Sequence, residues 1–164
     1  MNNKYNTLFR HLIEEANCYE NLQEAARKKQ RAIVDGDIEK LNLATNMEQS
    51  LVKQGNKLTE VRYGLLREAL TEIDCPQKIT LSAFISEVHP ANKREWIFLK
   101  NRIENSAAII HRLNRENAML LHTSIHFVQD IIQFYYPRDE LKGGIYTAEG
   151  ITKENTVSII DYGV

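Results

Sequence analysis

Three observations predict an all-α fold: a long antiparallel three-helix bundle or coiled coil, with a short connecting helix and a flexible C-terminal tail. Apolar residues recur every three or four positions over long stretches, the period of one helix face. Seven glycines and three prolines in 164 residues leave little of the chain free to be loop or strand. The periodic stretches stop at turn and breaker signals, Asp35-Gly36-Asp37, Cys75-Pro76, His89-Pro90 and Pro137. This pattern assigns residues 1–137 to a helical bundle and 138–164 to a tail.

The first helix runs from about Asn3 to Val34. Tyr5, Leu8, Leu12, Ala16, Tyr19, Leu22, Ala26 and Ile33 mark its apolar stripe, with Phe9, Ile13 and Ala25 broadening it. Gly36 can take the left-handed conformation that closes a helix, and the Asp37 carboxylate can cap the next one. So short a connection makes an antiparallel hairpin. The second helix, about Asp37 to Ile73, carries Ile38, Leu41, Met47, Leu51, Leu58, Val61, Leu65, Ala69 and Ile73 at heptad-like spacing, with Gly55 and Gly64 as weak points. At 1.5 Å per residue it is roughly 55 Å long. Thr80 caps a short amphipathic helix to Val88, whose Leu81, Phe84, Ile85 and Val88 suit a plug at the end of the hairpin. Pro90 is placed to open the third long helix.

That third helix spans Trp96 to Tyr136. Trp96, Leu99, Ile103, Ala107, Ile110, Leu113, Asn117, Leu120, Ser124, Phe127, Ile131 and Phe134 form its packing seam. Beside the seam, near the end, runs a second row: Leu121, Ile125, Val128, Ile132 and Tyr135. At 100° per residue the two rows span an apolar arc of roughly 200°, about twice what one side of a soluble bundle needs. Something beyond the intramolecular core is expected to cover the surplus. The tail loses all periodicity and holds two apolar islands, Ile145-Tyr146 and Val157 with Ile159-Ile160, which suit either short docking sequences or no role at all.

The composition excludes several function classes. A net charge of −1, with no basic stripe interleaved with aromatics, argues against nucleic acid as a partner. No apolar run approaches the ~20 residues of a membrane span, and the polar start lacks a signal-peptide core, so the expected location is the cytoplasm without membrane insertion. Cys18 and Cys75 do not make a metal spacing and read as small hydrophobes or bystanders. No histidine follows a glutamate by three residues, as bundle di-metal sites require. His122 and His126 fall on the polar side of their helix and read as a solvated pair. No phosphate loop, nucleophile elbow or activated cysteine occurs. The chain reads as a protein without catalytic activity, cofactor or metal.

Three blocks, RAIVDGDIEKLNLATNMEQSLV, LNRENAMLLHTSIHFVQDII and IYTAEG, occur in an order and spacing that resembles the FlgN family of flagellar type III export chaperones. The resemblance implies a cytoplasmic chaperone that holds the C-terminal helical segments of the two hook–filament junction proteins and delivers them to the export gate. It implies that Asn114 and Asn117, preceding the apolar rows, belong to the client-binding region with Leu121, Ile125, Val128, Ile132 and Tyr135. It further implies that Tyr146 and Gly150 dock to the gate component. A register-fixing role for a seam asparagine is the alternative for Asn117. A structural coiled-coil protein and a chaperone for a different secretion client are the rival classes. Without a client, a homo-oligomer or a folded-back tail is expected to cover the surplus apolar face, and Tyr146 folding back near Ile132 and Tyr135 is the alternative to its docking at the gate.

Overall fold

Periodic apolar spacing resolves into four helices in a computed structural model, which describes residues 3–71, 80–90 and 92–136. They are α1 (Asn3–Asp35), α2 (Ile38–Thr71), α3 (Leu81–Glu87) and α4 (Lys93–Tyr135). The chain divides into two compact units, Met1–Leu121 and His122–Val164, the second described as far as Tyr136. Helix α4 runs through the division without interruption.

The α1–α2 turn forms as its residues dictate. Gly36 sits at φ +67°, its amide donates to the Ile33 carbonyl at 3.2 Å, and the Asp37 amide donates to that of Ala32 at 3.0 Å. This pair of bonds satisfies carbonyls that the ending helix leaves free. Asp37 then accepts from the Lys40 amide at 2.9 Å, capping α2.

Contacts between α1 and α2 fix an antiparallel pair. The His11 ring Nε2 donates to the Leu58 carbonyl at 2.7 Å, the Cys18 thiol to that of Leu51 at 3.6 Å, and Lys29 pairs with Glu48 at 2.8 Å. Numbers rise on one helix as they fall on the other. Small residues, Ala16, Cys18, Ala25 and Ala32 on α1 with Ala44 and Gly55 on α2, are buried in this pair. Glu15 is fully buried between them, its carboxylate taking the Thr59 hydroxyl at 3.0 Å and Arg62 Nε at 2.8 Å. A buried carboxylate persists only when so paired.

Within the first unit α4 runs in the same direction as α1. Trp96 meets Phe9 with ring centroids 5.0 Å apart, Arg102 forks onto Glu20 at 2.8 and 2.7 Å, and Glu116 accepts from Gln30 at 3.0 Å. Helix α3 closes the core at the open end of the hairpin, as its sequence predicts. Phe84 is fully buried among Leu8, Leu12, Leu66 and Trp96, edge-on to Tyr5 at 5.4 Å. Burying such a side chain stabilises by about 1.5–3 kcal/mol.

Three expectations need correction. Pro90 does not open α4: it is buried in the connection, and the helix begins at Lys93 after Asn92 at φ +60°, whose carbonyl accepts from the Glu95 amide at 2.8 Å. Helix α4 ends at Tyr135, with Tyr136 in the closing bend. The seam of α4 is packed only in part: Trp96, Leu99, Ile110, Leu113 and Asn117 are buried, whereas Phe127, Ile131 and Phe134 are exposed. The end of the second helix at Ile73, Cys75-Pro76, and everything assigned to the tail lie outside the described residues.

Candidate functional site

From His122 to Tyr136 every described residue is exposed, although the helix is regular to Tyr135. Eight of these fifteen are large hydrophobics: Ile125, Phe127, Val128, Ile131, Ile132, Phe134, Tyr135 and Tyr136. The least exposed is Ile131 at 40 % and the most exposed Phe134 at 79 %. Phe134 and Tyr135 meet edge-on with centroids 5.3 Å apart, a preferred aromatic geometry that leaves outer surfaces of both rings in water. Isolated exposed apolar residues are ordinary, but a contiguous helix face of them marks an interaction surface.

The residues singled out from the sequence fall into three groups. Ile125, Val128, Ile132 and Tyr135 are exposed together on one helical row, while Leu121, the last residue of the first unit, is partly buried. The two asparagines part company. Asn114 is exposed, whereas Asn117 is 1 % exposed and its Nδ2 donates to the Ala26 carbonyl at 3.0 Å. That amide is used inside the first unit, the geometry of the register-fixing alternative. Tyr146 and Gly150 lie outside the described residues.

Phe127, Ile131 and Phe134 share the spacing of the packed seam, which predicts them in the core, and are exposed instead. Periodicity carried no signal that could separate them, because a covered row and an uncovered one have the same period.

The chemistry of the described residues is that of packing and pairing. No group of three or more His, Cys, Asp and Glu side chains that could hold a metal ion occurs among them. The His122 and His126 rings meet edge-on at 4.4 Å on the exposed helix. Burial and the neighbouring Glu15 carboxylate push the Cys18 thiol above its ordinary pKa, the opposite of what a nucleophilic cysteine requires. No described helix is long and apolar enough to cross a membrane.

The family model described as FlgN protein matches residues 1–154, nearly the whole chain. The chain belongs to the FlgN family. Comparison with curated proteins found no match, and comparison with solved structures found none. FlgN-type proteins are chaperones of flagellar type III export, and the all-α bundle of this chain accords with that role. The matched span includes the whole exposed face and also Tyr146 and Gly150.

Proposed function

We propose that this FlgN-family chain is a cytoplasmic chaperone that binds the C-terminal helical segments of the hook–filament junction proteins, keeps them unassembled and brings them to the flagellar export gate. The observation that carries this reading is the uncovered apolar face of α4 from Ile125 to Tyr135. Water contact with apolar surface is unfavourable by about 25 cal/mol per Å², so a complementary apolar helix docked there is stabilised side chain by side chain. Ile125, Val128, Ile132 and Tyr135 make the client contacts, with Leu121 and Asn114 at their margin. Asn117 acts indirectly, holding α4 against α1 in the register that its bond to Ala26 defines. The heptad-like spacing winds the long helices as a coiled coil.

Tyr146 is the gate-docking residue and Gly150 the second residue of that motif. An aromatic beside Ile145, flanked by Gly143-Gly144 and Gly150, supplies a compact apolar anchor with a hydroxyl that can find a partner. Nucleic acid, membrane insertion, metal and cofactor play no part in this mechanism. Without a client, the face is open to a second copy of the chain or to the tail.

The test uses purified junction protein and purified gate component. Ile125→Asp with Val128→Asp is expected to weaken junction-protein binding while leaving helical content and the thermal midpoint in place. Tyr146→Ala is expected to abolish gate binding with client affinity intact. Wild-type chain that binds neither junction protein contradicts the client assignment. Loss of client affinity in Tyr146→Ala, with gate binding retained, contradicts the docking assignment.

A further inference from the structure

We infer that His122 and His126 form a chelating site for a late first-row divalent metal ion of the zinc class, and that the bound ion clamps one turn of α4. The client reading above requires no metal, and this site stands independently of it. Four residues apart, the two side chains project from successive turns of one helix face. Both are exposed, yet their rings turn towards each other, with centroids 4.4 Å apart and planes at 64°. Two imidazoles bound to one tetrahedral zinc at the usual Zn–N length have ring centroids about 5 Å apart. Small rotations about the side-chain bonds therefore bring one nitrogen of each ring to a shared ion. Imidazole is the commonest metal ligand and suits zinc, copper and nickel, whereas magnesium and calcium take oxygen.

The surroundings favour a cation. His122–Tyr136 contains no lysine or arginine, and its one formally charged side chain is Asp130, one turn beyond His126 on the same side. An arriving ion meets no like charge along this stretch and one opposite charge. The other three histidines offer no such pair. His11 Nε2 lies 2.7 Å from the Leu58 carbonyl, and no histidine stands three or four residues from His89 or His111. Among the described residues no third His, Cys, Asp or Glu completes a set with the pair, so the chain supplies two ligands and solvent the rest. Structural zinc sites have four protein ligands, and a site with two binds reversibly.

The consequence is local. Every described residue from His122 onward is exposed. An ion that bridges positions four apart fits the helical form of that turn and not an unwound one, so binding shifts the turn towards helix. The clamp sits on the polar side of α4 and stiffens the helix without covering its apolar rows.

The experiment uses the full chain, free of any polyhistidine tag and stripped with chelator, titrated calorimetrically with zinc chloride and, as a control, magnesium chloride. One zinc per chain is expected, with no heat from magnesium. His122→Ala and His126→Ala, both at exposed positions, are each expected to weaken zinc binding at least about tenfold, and His111→Ala to leave it unchanged. Zinc is expected to slow amide exchange between His122 and Asp130 in the wild-type chain and in neither of the first two variants. Wild-type affinity in both of those variants shows an adventitious ion and overturns the site. One zinc per two chains, with a doubled mass, places the ion between copies and overturns the clamp, as does binding without slower exchange in that turn. Absence of any zinc binding by the wild-type chain overturns the inference outright.

Discussion

Helix α4 carries one continuous periodicity through two regions that differ in fate. In the first unit the seam positions Trp96, Leu99, Ile110 and Leu113 are buried: Trp96 and Leu99 lie in the core with Phe84, and Asn117 reaches the backbone of α1. In the second unit, from His122 onward, residues at the same spacing are exposed, Phe127 and Phe134 among them. The hydrophobic pattern thus specifies which face of a helix seeks cover, and says nothing about whether this chain or a partner supplies it. On the proposed reading this difference is the function: a seam satisfied within the chain gives stability, and the same seam left open gives the client its docking face.

The largest test of the contrast is a pair of aromatic truncations. Trp96→Ala is expected to lower unfolding free energy by about 3–5 kcal/mol, because it leaves a cavity against Phe9 and Phe84. Phe134→Ala, at an exposed position of the same helix, is expected to stay within about 0.5 kcal/mol. Urea unfolding curves of the two variants measure both. Equal losses would show that the end of α4 is part of the core.

A smaller effect separates the two asparagines. Asn117→Ala removes the buried bond to Ala26 and is expected to cost about 1 kcal/mol. Asn114→Ala, at the surface, is expected to leave the unfolding midpoint unchanged. A reversed ranking would remove the register role from Asn117.

The hairpin turn was legible because Gly36 and Asp37 carry specific backbone requirements, and the plug was legible because Thr80 and the apolar spacing after it have a local cause. The start of α4 was less so. Pro90 suits a first helical turn, but Asn92 takes the left-handed conformation two residues later and delays the helix to Lys93. The surplus apolar arc was visible in Leu121, Ile125, Val128, Ile132 and Tyr135, yet Phe127, Ile131 and Phe134 were assigned to the core. Burial is a tertiary property, and a three–four repeat is local. The burial of Asn117 was open for the same reason, since its bond to Ala26 joins residues far apart in sequence.

The smallest expected effect concerns pH. The hydrogen bond from Arg102 holds the Glu20 carboxyl below its ordinary pKa and raises that of the guanidinium. Since the folded value is depressed, the contribution of the pair is present above the unfolded pKa of glutamate and is lost as pH falls through the lower folded value. Both side chains are partly in water, so the advantage of wild type over Glu20→Gln is expected to be about 0.5 kcal/mol at neutral pH. Denaturation of the two proteins at a series of pH values should show their difference closing in acid. A difference that persists below the folded pKa would mean that charge is not its source.

Amide hydrogen exchange along α4, with and without bound junction protein, tests the central claim most directly. In the free chain, amides of the buried half up to Leu121 are expected to exchange slowly and those from His122 to Tyr135 quickly, since the latter residues are exposed. Bound client is expected to protect His122–Tyr135 selectively. Slow exchange there in the free monomer, or client-induced protection confined to Lys93–Leu121, would contradict the assignment of the end of α4 as the docking face.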